Sequence, residues 1–431
     1  MRGESAAVSL RGLARSFLRG YRELFSIEEI ERSMALKWVF GATILSYFTV
    51  FNQWLLQRAT TLDAVTDQSF VCWPYFQNCD FLYVLRTLPE GHSQPLLYMT
   101  LFGSFLLAAY FMYRGRWVLA HLSLVPAFLW HFFILFFLTY LLGGNYEYYL
   151  AILAATLLFF PHKEFFLKLY IVLFYVLSTA TKIHEGWVLG TYFSALKTGL
   201  PLFPDWSIPL WTNLVIGMEL VGSWFLLSKR TVLQRSALVF FAAFHLYSGL
   251  LVSFRYPSTI LPTLLILFGP LYRHTPIPFD RKAIVGWALV PLLFSAQFLS
   301  NIIPGDEKLT LEGNRYGLYM FEANHQCISA ATVHFVNGLS TTRTEANSLA
   351  RNRCDPYQHW FKLQSKCAAS ERVERISWVF DHSVNGGPFL RIVDVADVCA
   401  LDYKPFSRNE WIRTEKDNPP IVGYPVENIY R

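Results

Sequence analysis

The chain has 431 residues, of which 53% are hydrophobic, 17% aromatic and only 16% charged, with a formal net charge of +6. A soluble chain of this length carries about 25% charged residues, so the composition excludes an ordinary soluble protein. Long apolar runs fill residues 36–300, whereas residues 301–431 have the composition of a soluble domain. We therefore predict an all-α polytopic membrane domain followed by a small α+β extracytoplasmic domain.

Residues 1–35 are predicted to form a cytoplasmic amphipathic arm. Leu10, Leu13, Phe17 and Tyr21 recur at helical spacing, with arginines between them. This pattern is typical of a helix that lies on the cytoplasmic leaflet, with a partner-binding helix as the alternative. The arm is too polar and too rich in arginine for the h-region of a signal peptide.

Residues 36–300 are predicted to contain about nine transmembrane helices, because one span needs roughly 17–25 apolar residues. The candidates are residues 38–56, 96–112, 117–141, 147–161, 166–183, 208–227, 232–252, 258–272 and 283–300. The fourth and the eighth of these are short.

The distribution of positive charge predicts the orientation. With a cytoplasmic N-terminus, the basic residues of the outer connections are Arg58, Arg86, Lys197 and Arg255. Every other lysine or arginine of residues 1–300, apart from Lys182, lies in an inner segment. Positively charged loops stay in the cytoplasm, so an odd number of spans places residues 301–431 on the outside.

The cysteines support this orientation. All of them fall in segments assigned to the outer side, namely Cys72, Cys79, Cys327, Cys354, Cys367 and Cys399. Because disulfides persist in oxidising compartments, we predict at least two, with free thiols as the alternative. Cys72 and Cys79 can pair within the first outer loop, and the sequence does not choose among the pairings of the others.

The outer domain, residues 301–431, is predicted to hold one small sheet with a helix or two. The segments CISAATVHF and ISWVFDHSV are rich in β-branched and aromatic residues and favour strands. The NGG sequence at residues 385–387 is a hairpin signal, and the alternating segment FLRIVDVADV follows it. A threonine-led helix start is predicted in TTRTEANSLARNRC.

Polar residues inside the predicted spans are the candidate functional groups, because a charge in a bilayer is costly. Lys182 lies near the outer end of the fifth span, where a lysine can act as a base or simply snorkel to the interface. Glu219 lies near the middle of the sixth span, where a carboxylate is either protonated or paired. His131 is also mid-span.

His245 and Tyr146 share the predicted outer half of the membrane with Lys182, which favours one common site. A membrane histidine can alternatively be a hydrogen-bonded core residue. HExxH, CxxC, Walker and GxSxG motifs are absent from the sequence, so no metal site is predicted.

The segment TKIHEGWVLGTYF resembles the K-L-x-x-x-W-x-x-G segment of vitamin K-dependent γ-carboxylases and their bacterial relatives. The matching residues are Lys182, Ile183, Trp187 and Gly190. The segment AFHLYSGLLVSF resembles a later helix of that family that contains a histidine, which here is His245. The segment MEL resembles a position where the family also has an acidic residue, which here is Glu219. NRYGLYMFEANHQC resembles the segment after the last span, through Tyr316, Gly317, Met320 and His325. The likeness extends from residue 36 to about residue 330, and the wider grouping is the horizontally transferred transmembrane (HTTM) domain family.

The resemblance implies a reaction driven by reduced vitamin K or another quinol. In the family, the lysine is taken to deprotonate the quinol, and oxygen then converts the quinol into a strong base. That base removes the γ-proton of a protein glutamate, and CO₂ adds to the carbanion. The resemblance thus implies Lys182, His245 and Tyr146 as catalytic residues, although the carboxylases have a histidine where Tyr146 stands. The predicted substrate- or quinone-binding residues are Glu219, Trp187, Asn145, His131 and His325.

The predicted protein is a multi-pass protein of the bacterial inner membrane or the ER membrane. Its predicted partners are the lipid bilayer, a lipid-soluble quinone and a glutamate-containing protein or peptide, with no nucleic acid. Alternatively, it is an HTTM-family membrane protein that binds a quinone or a lipid, or a non-enzymatic assembly or immunity factor.

Overall fold

The computed structural model describes residues 16–56, 71–77, 93–138, 145–194, 196, 199–251, 254–303, 306, 308–319, 323–347, 354–417 and 420–421. Two compact units are present. The first comprises the described parts of Met1–Phe70, Asp80–Phe174 and Gly222–Pro291. The second comprises the described parts of Val71–Cys79, Tyr175–Val221 and Leu292–Arg431.

Helices dominate the described chain up to residue 302. Their bounds are Ile27–Arg32 (α1), Met34–Leu56 (α2), Ser93–Tyr113 (α3), Trp117–Phe133 (α4), Asn145–Phe159 (α5), Lys163–Ala180 (α6), Glu185–Val188 (α7), Thr191–Ser194 (α8), Ile208–Leu220 (α9), Thr231–Leu251 (α10), Arg255–Phe268 (α11) and Ile284–Ile302 (α12). A π-helical segment, Ile134–Leu138, follows α4, and a 3₁₀ segment, Gly222–Leu227, follows α9.

Each of the predicted spans overlaps one of the helices α2–α6 and α9–α12. Among the described residues, three segments are long and apolar enough to cross a membrane, namely Met34–Asn52, Trp117–Phe136 and Arg281–Ile302. Shorter apolar helices are Met99–Tyr113, Tyr146–Phe159 and Tyr256–Phe268. The chain therefore has helices of the membrane-spanning kind, by length and composition, while the number of nine spans stays a prediction.

The predicted amphipathic arm is described only from residue 16 onward, and its residues 16–24 are helical. Phe17 and Leu24 are exposed. The hydroxyl of Tyr21 forms a 2.8 Å hydrogen bond with Nδ1 of His121 on α4. Contact of this arm with the leaflet stays a prediction.

Two charged side chains cap helix ends at the junction between α5 and α6. The Glu29 carboxylate accepts hydrogen bonds from the backbone N–H groups of His162 (2.8 Å) and Lys163 (2.7 Å), where α6 begins. Nζ of the buried Lys163 donates to the carbonyls of Leu158 and Phe160, where α5 ends. Helix ends leave such groups unpaired, so an acid at an N-terminus and a cation at a C-terminus both stabilise the junction.

We expect Glu29→Ala to lower the free energy of unfolding by about 2 kcal/mol, because two backbone donors lose a charged acceptor. Thermal unfolding of the purified protein in detergent measures the change. Glu23→Ala is the matched control, because the Glu23 side chain is exposed. Equal stability of the two variants would contradict a capping role for Glu29.

The described C-terminal region contains a four-stranded antiparallel sheet with the strand order β2-β1-β3-β4. The strands are His325–Phe335 (β1), Ser340–Asn347 (β2), Val373–Val384 (β3) and Leu390–Val395 (β4). Helix Pro356–Ala369 (α13) lies against the sheet, where the His359 ring contacts Trp378 and Phe380 of β3. The predicted small α+β region and its hairpin at residues 385–387 are confirmed.

The helix predicted to start in TTRTEANSLARNRC is wrong at residues 341–347, which belong to β2. Asn337 and Gly338 make a hairpin turn, in which Gly338 has φ +80° and the N–H of Phe335 donates to the carbonyl of Leu339. This turn pairs the threonine-rich segment with β1, and cross-strand pairing outweighs the local helix signal. Residues 348–353 lie outside the described part of the chain.

Two disulfides hold α13 at both ends. Cys327 of β1 pairs with Cys354 just before the helix, and Cys367 in its last turn pairs with Cys399. The prediction of at least two disulfides is confirmed. Cys72 is also disulfide-bonded, whereas Cys79 lies outside the described residues.

Glu312 is a buried carboxyl group that holds the C-terminal segment in place. One of its oxygens accepts hydrogen bonds from the backbone N–H and from Nδ2 of Asn409, both at 2.8 Å. Burial raises the pKa of Glu312 to about 7, against the lowering effects of the Asn409 hydrogen bonds and the charge of Arg408. Nearby Asp355 raises this pKa further.

We expect Glu312 to make stability depend on pH. Folding raises the pKa of Glu312 from 4.5 to about 7, so its protonated form stabilises the folded state. This contribution is complete below pH 4.5 and is lost as the pH rises through 7. The loss amounts to about 3 kcal/mol. Burial lowers the pKa of His382 to about 3 and of His359 to about 4. These two histidines make the folded state more stable as the pH rises, which is opposite to the effect of Glu312.

The measurement is therefore the difference in unfolding free energy between wild type and Glu312→Gln at pH 5 and at pH 8. Relative to the variant, the wild type should have a higher unfolding free energy at pH 5 than at pH 8. An equal difference at both pH values would refute the role of Glu312.

Candidate functional site

Lys182 lies just beyond the end of α6, where the chain turns. Its backbone N–H donates to the carbonyl of Thr179 at 2.8 Å. The side chain is fully buried, at 0% exposure, and does not extend to a surface. This burial disfavours the snorkelling alternative, because a snorkelling lysine keeps its charged end in water.

Lys182 instead pairs with Glu219 on α9. Nζ lies 2.7 Å from Oε1 and 2.5 Å from Oε2 of Glu219, whose side chain is 1% exposed. Thr179 of α6 places its hydroxyl oxygen 2.9 Å from the same Oε2, and Nζ lies 5.4 Å from the centre of the Trp187 ring. The sequence identified the lysine, the acid and the tryptophan separately, and the structure brings them together.

Two helix ends position this pair. Helix α6 ends at Ala180, and α9 ends at Leu220, one residue after Glu219. Carbonyl groups at a helix C-terminus favour a cation and disfavour an anion. Lys182 therefore suits its position, whereas Glu219 depends on Lys182 as its partner.

The backbone after Lys182 folds back so that the Trp187 ring lies near the Lys182 amine. Nδ1 of His184 accepts a hydrogen bond from the N–H of Gly186 at the start of α7. A Cβ atom at Gly186 would lie 2.5 Å from Nδ2 of Asn385, so a larger residue there would have to displace the Asn385 side chain. Gly190 has φ +75°, a conformation that glycine adopts without strain. The Trp187 ring then packs against Tyr192, with ring centres 5.5 Å apart.

The hairpin turn of the sheet is joined to this segment by hydrogen bonds. Nδ2 of Asn324, just before β1, donates to the carbonyl of Tyr192 at 2.6 Å. The N–H of Asn324 donates to Oδ1 of Asn385 at 2.8 Å, and the N–H of Asn385 donates back to the carbonyl of Asn324. The sheet, the turn and the lysine segment are thus connected within the second unit.

His325 is buried at the start of β1 and contacts a second histidine that the sequence analysis missed. Nδ1 of His382 donates to the carbonyl of Leu309 at 2.7 Å, because a carbonyl oxygen can only accept. Burial lowers the pKa of His382 to about 3, so the ring is neutral and its Nε2 carries no hydrogen. Nε2 of His382 is then the acceptor, and Nδ1 of His325 donates to it at 3.1 Å. The two residues lie on paired strands 57 positions apart, so no local pattern could have revealed the pair.

His245, Tyr146 and His131 belong to the first unit. His245 is fully buried on α10, with its ring 5.0 Å from that of Tyr256 on α11. His131 is also fully buried and packs edge-on against Tyr47. A pocket shared with Lys182 stays a prediction.

The remaining predicted binding residue of this unit, Asn145, begins α5, and its side chain lies outside the described part of the structure, as does Met320. Within the described residues, no group of three or more histidine, cysteine or acidic side chains is arranged to hold a metal ion.

Comparisons with protein-family models, curated proteins and solved structures gave no match to this chain.

Proposed function

We propose that this protein is an integral membrane, vitamin K-dependent γ-carboxylase-like protein of the HTTM type, in which Lys182 takes a proton from a lipid-soluble quinol. The proposed reaction is quinol- and oxygen-driven carboxylation of glutamate in a protein or peptide at the outer face. The observation that carries the proposal is the complete burial of Lys182 against Glu219. A general base must be held within reach of the proton that it removes, and the Glu219 carboxylate fixes the position of Nζ.

The side chains around Lys182 suit a phenolic ligand with a ring. The amine can accept the hydroxyl proton, and the Trp187 ring 5.4 Å from Nζ offers an apolar, aromatic surface. When bound, reduced vitamin K or another quinol supplies the reducing equivalents for the step with oxygen. Lys182 accepts the proton, Glu219 holds the amine in place, and Trp187 shields it from water. Thr179 acts through Glu219, to which its hydroxyl donates.

The remaining assignments follow from the family resemblance. His245 assists by hydrogen bonding or proton return, and Tyr146 donates a hydrogen bond, since tyrosine is a poor base at neutral pH. Asn145, His131 and His325 contribute to binding. The protein or peptide substrate approaches from the side of the outer domain.

The test is direct. The protein is purified in mild detergent, co-purified quinone is identified by mass spectrometry, and incorporation of labelled CO₂ into a glutamate peptide is measured with added quinol. We expect a bound quinone and quinol-dependent incorporation. Absence of both would contradict the proposal. A biological phenotype that survives Lys182→Ala would favour the non-enzymatic binding or assembly alternative.

We further propose nine spans, with the N-terminus in the cytoplasm and residues 301–431 outside. The distribution of basic residues supports this orientation, as do the disulfides of the C-terminal region. An alkaline phosphatase fused after Arg431 should be active, because the enzyme needs an oxidising compartment. Activity of a matching cytoplasmic reporter at that position would overturn the orientation.

A further inference from the structure

An exposed apolar surface lies beside Lys182 in the second unit. Its residues are Ile183, Val188 and Leu189, which follow the lysine, and Leu210 and Leu214 of α9. Residues three or four apart in a helix lie on the same face, so Asn213 borders Leu210 and Leu214. Nδ2 of Asn213 donates to the carbonyl of Val188 at 2.8 Å, which makes the surface continuous. An exposed apolar patch of this kind marks a contact with another protein or with a membrane.

A strained turn before α9 exposes a leucine. The N–H of Phe203 donates to the carbonyl of Leu200 at 3.1 Å, and Leu202 between them has φ +73°. A turn with positive φ at this position normally takes glycine, because a side chain there strains the backbone. The Leu202 side chain is 88% exposed, so packing within the protein does not offset the strain. A contact outside the protein would offset it.

The tryptophan that precedes α9 is exposed as well, although the loop of residues 200–207 is packed onto the helix. The Trp206 side chain is 81% exposed. The centre of the Phe203 ring lies 4.2 Å from that of Trp211 on α9, and Nε1 of Trp211 donates to the Ser207 hydroxyl at 3.2 Å. The loop therefore has a fixed position on α9 and presents Leu202 and Trp206 at the surface.

Two acidic side chains set the depth of this surface. Within the described part of residues 183–207, the exposed charged side chains are Glu185 and Asp205. A charge in hydrocarbon is costly, so both belong at the level of the lipid headgroups. Tryptophan is favoured at the same level, because its ring is apolar and its N–H is polar. Because the chain also has helices of the membrane-spanning kind, a bilayer is the partner that fits this surface.

We propose that the apolar surface and the loop of residues 200–207 lie in the membrane interface instead of in water. Leu202 and Trp206 anchor the loop at the headgroups, and Leu210 and Leu214 continue from it into the acyl chains. The lipid contact does not depend on the proposed function. Under that function, a lipid-soluble quinol reaches the Lys182 turn from the bilayer without crossing water.

Tryptophan fluorescence of the full chain in phosphatidylcholine nanodiscs tests the proposal. Bromine atoms on the acyl chains quench a tryptophan that lies close to them, and subtraction of the Trp206→Phe spectrum isolates the emission of Trp206. We expect most of that emission to be lost with bromines near the headgroups, and less with bromines near the chain ends. The control is Trp411→Phe, which removes a tryptophan that packs against Trp378 of β3. Equal loss in both difference spectra would contradict a specific contact of Trp206.

A second pair of variants tests the anchor, and thermal unfolding is recorded to confirm that each variant keeps its fold. Leu202→Asp should weaken the bromine quenching of Trp206, whereas Leu339→Asp, at an exposed leucine of the β1–β2 hairpin, should leave it unchanged. Trp206 emission that resists bromine and is quenched by iodide in the water would overturn the proposal, and so would undiminished bromine quenching in Leu202→Asp. Because no quinol is present, a failed carboxylation assay and a failed quenching experiment are separate results.

Discussion

Lys182→Arg should reduce quinol-dependent turnover by ~10²–10⁴-fold, the usual contribution of a general base. An arginine can still pair with Glu219, because its planar group matches a carboxylate. It cannot accept a proton from the substrate, since the guanidinium keeps its own proton in proteins. The variant therefore retains a cation and loses the base, whereas Lys182→Ala loses both.

The measurement compares quinol consumption by purified wild type, Lys182→Arg and the control Lys229→Arg, whose lysine is exposed. The larger side chain in a buried site should cost about 1–3 kcal/mol of stability, so thermal unfolding is recorded for all three. Full activity of Lys182→Arg would show that the lysine is only a positive charge, and the carboxylase-like proposal would lose its main support.

Lys182→Met should lower the free energy of unfolding by about 3 kcal/mol, and addition of Glu219→Met should restore most of it. The single variant leaves the two buried oxygens of Glu219 without the amine that donates to both of them. The double variant replaces both groups by apolar chains of similar length, which buried pairs tolerate well.

A double-mutant cycle with Lys182→Met, Glu219→Met and the double variant measures this coupling in detergent. Lys366→Met, on the exposed side of α13, is the control for loss of a lysine. Additive effects of the two single variants would show that the pair contributes no coupling to stability.

The sequence predicted the helical segments well because long apolar runs are visible without any tertiary information. It failed at residues 341–347, because a threonine was interpreted as a helix cap and the preceding Asn337–Gly338 turn was overlooked. It also could not divide the chain as the structure does. Residues 175–221 belong to the same compact unit as the sheet, which depends on contacts between distant segments.

The candidate site was predicted in part. Lys182, Glu219 and Trp187 were each identified, but counting residues along the spans placed the lysine near the outer edge and the acid near the middle. The structure pairs them because Lys182 lies in the turn after α6, which ends at Ala180, and the last turn of α9 brings Glu219 to it. Thr179 was overlooked, although a hydroxyl one helical turn before the lysine is a usable signal. His382 had no such signal, since its contact depends on the register of β1 and β3.

The Asn385 turn of the sheet packs on Gly186 and is bonded through Asn324 to Tyr192, on which Trp187 rests. A peptide that shifts this turn on binding would change the free energy of the Trp187 arrangement beside Lys182. Thermodynamic linkage requires the reverse effect to be equal, so a ligand against Trp187 would alter peptide affinity by the same factor. Under the proposed function, the two substrates would then bind cooperatively, and each would report the occupancy of the other.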